Sequence, residues 1–215
     1  MKKICLVLLL TLVGLSGCSK FSSQYNQGVY MLVDTSGTYT KELSQAKKII
    51  NFILAKLNPG DTFAVAQVNT GSFTQKDIID KRTFDDRPSM ANDQKREFSK
   101  VVDKFIKKVR PSAYTDITGG LLQAIEFLNE ANTNRKIILI FSDLKEDLRP
   151  GYVRNIPLKL KGFEVIAVNV TKLHSDNVDP REYMKRLSDW KRKVVKGGGS
   201  WRVINDMQHL DPIFQ

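Results

Sequence analysis

The sequence predicts an α/β fold: a doubly wound, mostly parallel six-stranded sheet with one antiparallel edge strand and helices on both faces. Three observations lead there. From Gly28 onward, short apolar runs alternate with segments of helical periodicity, the pattern of strands joined by crossover helices. Lys136 to Ser142 and Phe163 to Val170 are nearly unbroken apolar runs, as in strands covered on both faces. The turn around Gly71 is too short to hold a crossover helix, so the segment after it must double back.

The first strand is expected over Val29 to Val33, where the chain is continuously apolar. A helix follows from about Lys41 to Leu57, because Leu43, Ala46, Ile50, Ile53, Leu54 and Leu57 share one face, and Asn58-Pro59-Gly60 stops it. Thr40 is a candidate cap for that helix. Thr62 to Val68 is the second strand and Ile78 to Phe84 the antiparallel edge. Phe98, Val101, Val102, Phe105, Ile106 and Val109 form one stripe of a helix over Asp93 to Val109, with Pro111 beyond it. A further helix covers Ile117 to Glu130. After the two unbroken apolar strands come a helix over Pro180 to Lys196, a flexible turn at Gly197 to Gly199, a short strand over Trp201 to Ile204, and a closing helical turn from Met207 to Phe214.

The chain has 215 residues, 41% hydrophobic and 27% charged, which suits one domain with a substantial core. Residues 1–17 are set apart from it. Lys2 and Lys3 make a basic start, and Ile4 to Leu15 an apolar stretch too short to span a bilayer as a mature helix. Leu15-Ser16-Gly17-Cys18 resembles a bacterial lipobox, which implies a lipoprotein signal peptide over 1–17 and a lipid on Cys18. Residues 18–27 then read as a lipidated N-terminus and polar tether, and 28–215 as the domain. Two or more acyl chains anchor stably where one does not, so the expected location is a membrane surface of the bacterial envelope, on its periplasmic face. Ser19 resembles the pattern permitting onward sorting to an outer membrane.

Cys5 and Cys18 are the only cysteines. With one in the leader and one lipidated, no thiol is left for a disulfide or a zinc cluster. Losing Lys2 and Lys3 lowers the formal charge from +11 to +9, an excess that favours anionic headgroups or an acidic partner. Nucleic acid is not expected as a partner of an exported, tethered chain.

The chemistry concentrates at strand ends. Asp34, Ser36 and Thr38, in D-T-S-G-T, follow the first strand; Thr115, in S-A-Y-T-D-I-T-G-G-L, precedes a helix; Asp143 follows the strand ending near Ser142. Alternate spacing lets a tight loop turn Asp34, Ser36 and Thr38 inward together while Thr35 and Gly37 face away or ease the bend. In open parallel sheets ligands bind beyond the carboxyl ends of strands, where the strand order reverses. Oxygen-only donors select Mg²⁺, Mn²⁺ or Ca²⁺ over softer metals.

These five residues resemble the metal-ion-dependent adhesion site of von Willebrand factor type A domains, and the order of elements from Gly28 to Gln215, including P-G-D-T-F-A-V-A-Q-V, resembles the same family. The resemblance implies that the first strand lies beside the Lys136 to Ser142 strand at the reversal. It also implies that Ser36, Thr38 and Thr115 bind a divalent cation, most simply Mg²⁺, directly, with Asp34 and Asp143 acting mostly through waters. A coordination position is then left for an Asp or Glu of a protein partner, so the implied activity is binding and not catalysis. Two departures stand out: Thr38 replaces a serine, and Leu144 follows Asp143 where family members commonly carry glycine.

Other readings compete. D-T-S-G-T is also a serviceable turn. A metal-free module of the same fold could act as an assembly scaffold. A phosphatase of the haloacid dehalogenase type reads D-x-D-G-T after a strand, but Ser36 replaces the second aspartate, which removes the general acid. His174 and His209 are the only histidines and no G-x-S-x-G accompanies them. Both read as surface or helix-end residues, and Trp190 and Trp201 as packing. The run Lys185, Arg186, Lys191, Arg192, Lys193 and Lys196 reads first as the solvated face of a helix and second as a membrane contact.

Overall fold

Every residue of the first strand is buried, and its side chains alternate between two separate cores, one on each face of the sheet. The computed structural model describes residues 26–37, 39–69, 71 and 74–214. The leader, Cys18 and Thr38 lie outside the described residues. Strand β1 spans Gln27–Asp34, beginning at the last residue assigned above to the tether. Gln27 is tied down there: its backbone N–H and side-chain amide both donate to Asp61, at 2.9 and 3.1 Å.

Helix α1 is Leu43–Lys56, β2 Thr62–Val68, β3 Ile78–Thr83, α2 Pro88–Lys108, α3 Ile117–Glu130, β4 Arg135–Phe141, β5 Phe163–Val168, α4 His174–Val178, α5 Pro180–Lys196 and β6 Ser200–Ile204. The six strands lie in the order β3-β2-β1-β4-β5-β6. All neighbours are parallel except β2 and β3. The order reverses between β1 and β4, as expected, so their carboxyl ends emerge side by side.

Val29, Met31 and Val33 of β1 face α1, α2 and the C-terminal turns; Tyr30 and Leu32 face α3 and α5. In β4, Ile137 to Phe141 are fully buried, which explains the unbroken apolar run: with helices on both sides no position is left for a polar residue. Each such side chain withdrawn from water contributes about 1.5–3 kcal/mol. Helix α3 packs closely on β1. A Cβ at Gly120 would lie 2.9 Å from Leu32 Cδ2, so glycine lets the helix, and the loop carrying Thr115, sit close over the sheet.

Some elements differ from expectation. Helix α2 starts at Pro88 and not Asp93: Pro is preorganised for a first helical turn, and of the five added residues only Ala91 reaches the core, so the extra turn adds little to the apolar stripe. Thr40 does not cap α1. It lies in a 3-10 turn, Thr40–Glu42, and its hydroxyl donates to Gly37 O at 3.2 Å. Helix α4 had no counterpart in the sequence reading. Among the described residues no helix is long and apolar enough to cross a membrane.

Candidate functional site

Asp34 is the last residue of β1 and fully buried. Its Oδ1 accepts the Ser36 backbone N–H at 2.8 Å, which bends the loop, and its Oδ2 accepts the Ser142 hydroxyl at 2.6 Å. Thr35 turns away and donates its hydroxyl to Val68 O at 3.0 Å. Ser142, just past β4, also accepts the Leu144 N–H at 2.9 Å. One hydroxyl thus couples the β1 and β4 loops. Sequence reasoning passed over Ser142 because it was counted as the last residue of an apolar strand.

The loop before α3 is stitched to both neighbours by backbone hydrogen bonds. Ser112 N–H donates to Thr35 O at 2.8 Å and Gly37 N–H to Ser112 O at 3.2 Å; Thr115 and Asp147 exchange a pair at 2.7 and 2.9 Å. Asp116 caps α3, accepting the Gly119 N–H at 2.7 Å, and its other oxygen takes Arg154 at 2.6 Å. Helix α5 holds the β4 loop from the other side. Trp190 Nε1 donates to Leu144 O at 2.9 Å and Arg186 Nε to Asp143 O at 3.2 Å. Leu144 is buried with φ 66°, a left-handed conformation that glycine adopts freely and leucine rarely does. The expected departure at this position is therefore one of residue type: the backbone keeps the geometry that favours glycine.

Ser36, Gly37, Ser112, Thr115, Asp143 and Asp147 line a cleft of about 340 Å³ at the carboxyl ends of β1 and β4. The structure thus brings Ser36, Thr115 and Asp143 together, with Asp34 beneath Ser36 at the strand end. Asp147 was not anticipated; its backbone pairing with Thr115 is a tertiary contact with no sequence signal. The basic run of α5 is partly spent inward. Arg186 donates to both oxygens of Asp176 at 2.7 Å, and Lys193 reaches the Thr118 hydroxyl and Glu146.

Burial pushes the Asp34 carboxyl above its usual range, against the pull of Ser142 and of the Ser36 backbone and hydroxyl. Burial likewise raises Asp143; the Lys145 N–H opposes this, the Asp34 charge adds to it, and Arg186 and Lys145 lower it. Among the described residues neither carboxylate has an ion-pair partner. Two buried carboxylates that repel each other are costly, and the Arg186 and Lys145 charges offset that cost only at Asp143 and only in part. Among the described residues no group of three or more His, Cys, Asp or Glu is placed to hold a metal. A donor set here consists of two carboxylates plus the Ser36 and Thr115 hydroxyls, all hard oxygens, which fits Mg²⁺ bound through one or two carboxylates with waters retained.

Comparison with protein-family profiles and with curated protein sequences finds no match. Solved structures do match. A von Willebrand factor type A protein from Catenulispora acidiphila superposes with a TM-score of 0.53 at 16% identity, over 88% of this chain and 41% of that one. The pilus adhesin SpaC from Lactobacillus rhamnosus GG, in an open conformation, gives 0.55 at 10% identity, over 89% and 29%. The D319A mutant of the minor pilin PilB from Streptococcus sanguinis gives 0.51 at 12%, over 91% and 61%. This chain thus spans less than two thirds of each of these proteins. Its fold is that of von Willebrand factor type A domains, a Rossmann-like sheet with one antiparallel strand.

Proposed function

We propose that this chain is a protein-binding module of the adhesion or assembly type in the bacterial cell envelope, held to a membrane by lipid on Cys18. Its binding depends on a divalent cation at Asp34, Ser36, Thr38, Thr115 and Asp143. The observation that carries the reading is the convergence of Ser36, Thr115 and Asp143 on one cleft, with Asp34 buried at the strand end below. Two similar structures are a pilus adhesin and a minor pilin, which supports a surface-binding role for the fold.

The bound cation supplies positive charge that an incoming Asp or Glu of a protein partner neutralises. The chain's own residues prepare that encounter. Ser142 and the Ser36 N–H orient Asp34; the Thr115–Asp147 pairing fixes the third loop; Arg186 and Trp190 fix the carbonyls of the β4 loop. Such outer partners set the affinity of a metal site nearly as much as its ligands do. The arrangement offers no second carboxylate on the β1 loop to act as a general acid, so binding is favoured over phosphoryl transfer.

The test is calorimetric melting of the full chain in detergent micelles, with Mg²⁺, Mn²⁺ or Ca²⁺ against EDTA. Ligand at a hundredfold over Kd stabilises by about 2.7 kcal/mol, a rise of roughly 5–10 °C for a domain of this size. The rise is expected to grow with the logarithm of cation concentration above Kd and to vanish in Asp34→Ala and Asp143→Ala. No shift with any of the three cations removes the metal and leaves a metal-independent scaffold.

A further inference from the structure

We propose a second binding surface, separate from the cleft: the groove between β3 and α2 docks an acidic protein segment that carries apolar side chains. The groove measures about 590 Å³ and lies against the edge strand of the sheet. Ile79, Val101, Phe105 and Val109 form an apolar floor, and all four are only partly buried. Lys76, Lys104, Lys108 and Arg110 stand exposed around it, and none of them makes an ion pair among the described residues.

Charge complementarity fixes the occupant. The one carboxylate on the lining, Asp77, is buried and already accepts from Asn69 at 3.0 Å and Thr74 at 2.9 Å. Four cations therefore surround apolar surface with no carboxylate in ion-pair contact among the described residues; Glu97, which feels the Lys104 charge, lies off the lining and is already paired with Lys100 at 2.8 Å. Several exposed arginines elsewhere are paired with an aspartate two or three residues away, as in Arg87–Asp85, Arg181–Asp179 and Arg192–Asp189, and the four cations at the groove are not. A partner bearing Asp and Glu would relieve the repulsion among these four, while its Leu or Phe side chains cover the floor. A concave groove favours a polypeptide segment over the flat surface of a membrane.

Position makes the surface useful. Arg110 on the groove rim is followed two residues later by Ser112, which lines the cleft. A partner reaching the cleft with one carboxylate could lay an adjoining acidic stretch along α2. None of the residues proposed to hold the cation lines the groove, so its binding stands whether or not the metal reading does.

The experiment uses the full chain in phosphatidylcholine nanodiscs, in EDTA, with a fluorescent peptide alternating glutamate with leucine and phenylalanine. Anisotropy should report saturable binding that falls about tenfold in K104E/K108E. It should also fall when serine replaces the apolar residues of the peptide, and hold in K159E/K161E, a reversal of exposed lysines between β4 and β5. Circular dichroism melts of both variants verify folding. Absence of saturable binding, or equal weakening by the two charge reversals, overturns the proposal. So does competition by phosphatidylserine vesicles that bind wild type but not K104E/K108E, which would assign the groove to a membrane surface.

Discussion

Trp190 and Leu144 meet through a buried hydrogen bond of 2.9 Å, from the indole N–H to the backbone carbonyl of a residue held at φ 66°. Helix α5 therefore fixes the loop that begins with Asp143. For a side chain with a Cβ, the left-handed region costs roughly 1–2 kcal/mol, and the burial of Leu144 in the α3 and α5 core offsets it.

Substitution at Leu144 separates those two contributions. Leu144→Ala keeps the backbone penalty and loses the packing, so it should destabilise by about 2–4 kcal/mol. Leu144→Gly loses the same packing but is released from the penalty, and should be more stable than the alanine variant by about 1 kcal/mol. Urea denaturation of both variants measures the difference. Alanine above glycine would mean that the conformation is not imposed by the loop.

Ser142→Ala removes the donor to Asp34 Oδ2 and the acceptor of the Leu144 N–H together. Cation affinity should fall by about 10–100-fold, as for other outer partners of metal ligands. Isothermal titration with Mn²⁺ reads this. Unchanged affinity in a folded variant would show that Asp34 needs no such support.

Asp143→Asn tests the cost of the paired carboxylates. Burial and the Asp34 charge both raise the Asp143 carboxyl, so at neutral pH its ionised form weakens the cation-free protein. The neutral amide can still accept the Lys145 N–H that Asp143 accepts at 2.8 Å. In EDTA the variant should melt at or above the wild-type temperature, and added Mg²⁺ should no longer raise it. A lower melting point in EDTA would show that the negative charge stabilises the empty site.

The Asp176–Arg186 pair sets the acid limit. Arg186, donating to both carboxylate oxygens, holds Asp176 at about 2, below its ordinary 3.8; burial opposes this and the Leu173 N–H assists. A carboxyl lowered in the folded state stabilises fully above the unfolded value, and that contribution disappears as pH falls from about 4 to about 2. Asp176→Asn strands a largely buried guanidinium and should cost on the order of 3 kcal/mol at pH 7. Its melting temperature should then converge on wild type between pH 4 and pH 2. A constant gap across that range would exclude the pair as the titrating contact.

Elements with strong periodicity or caps were legible in the sequence. Strand β2, helix α3 and helix α5 have the expected limits, because apolar spacing, the Pro and Gly beside β2 and α5, and the Asp116 cap of α3 are local signals. Helix α4 was missed because H-S-D-N-V, four polar residues and one valine, is too short to carry periodicity. At the site, Ser36 and Asp143 could be placed because strand ends locate them, and Thr115 because a helix starts just after it. Ser142, Asp147, Arg186 and Trp190 could not, since their roles arise from contacts between residues far apart in the chain. The basic run of α5 illustrates the same limit: composition marks Arg186 and Lys193 as surface charges, whereas packing turns both toward the loops of the site.

Strand β1 enters the sheet at Gln27 and delivers Asp34 at the opposite pole. Eight residues at about 3.3 Å each make a rod of roughly 25 Å, locked by neighbours on both edges and by helices above and below. Whatever precedes Gln27 attaches at one end of that rod, while the cleft opens at the other. A pull exerted on a partner at the cleft would run lengthwise down the most deeply enclosed strand, loading its parallel neighbours in shear instead of peeling them apart one hydrogen bond at a time.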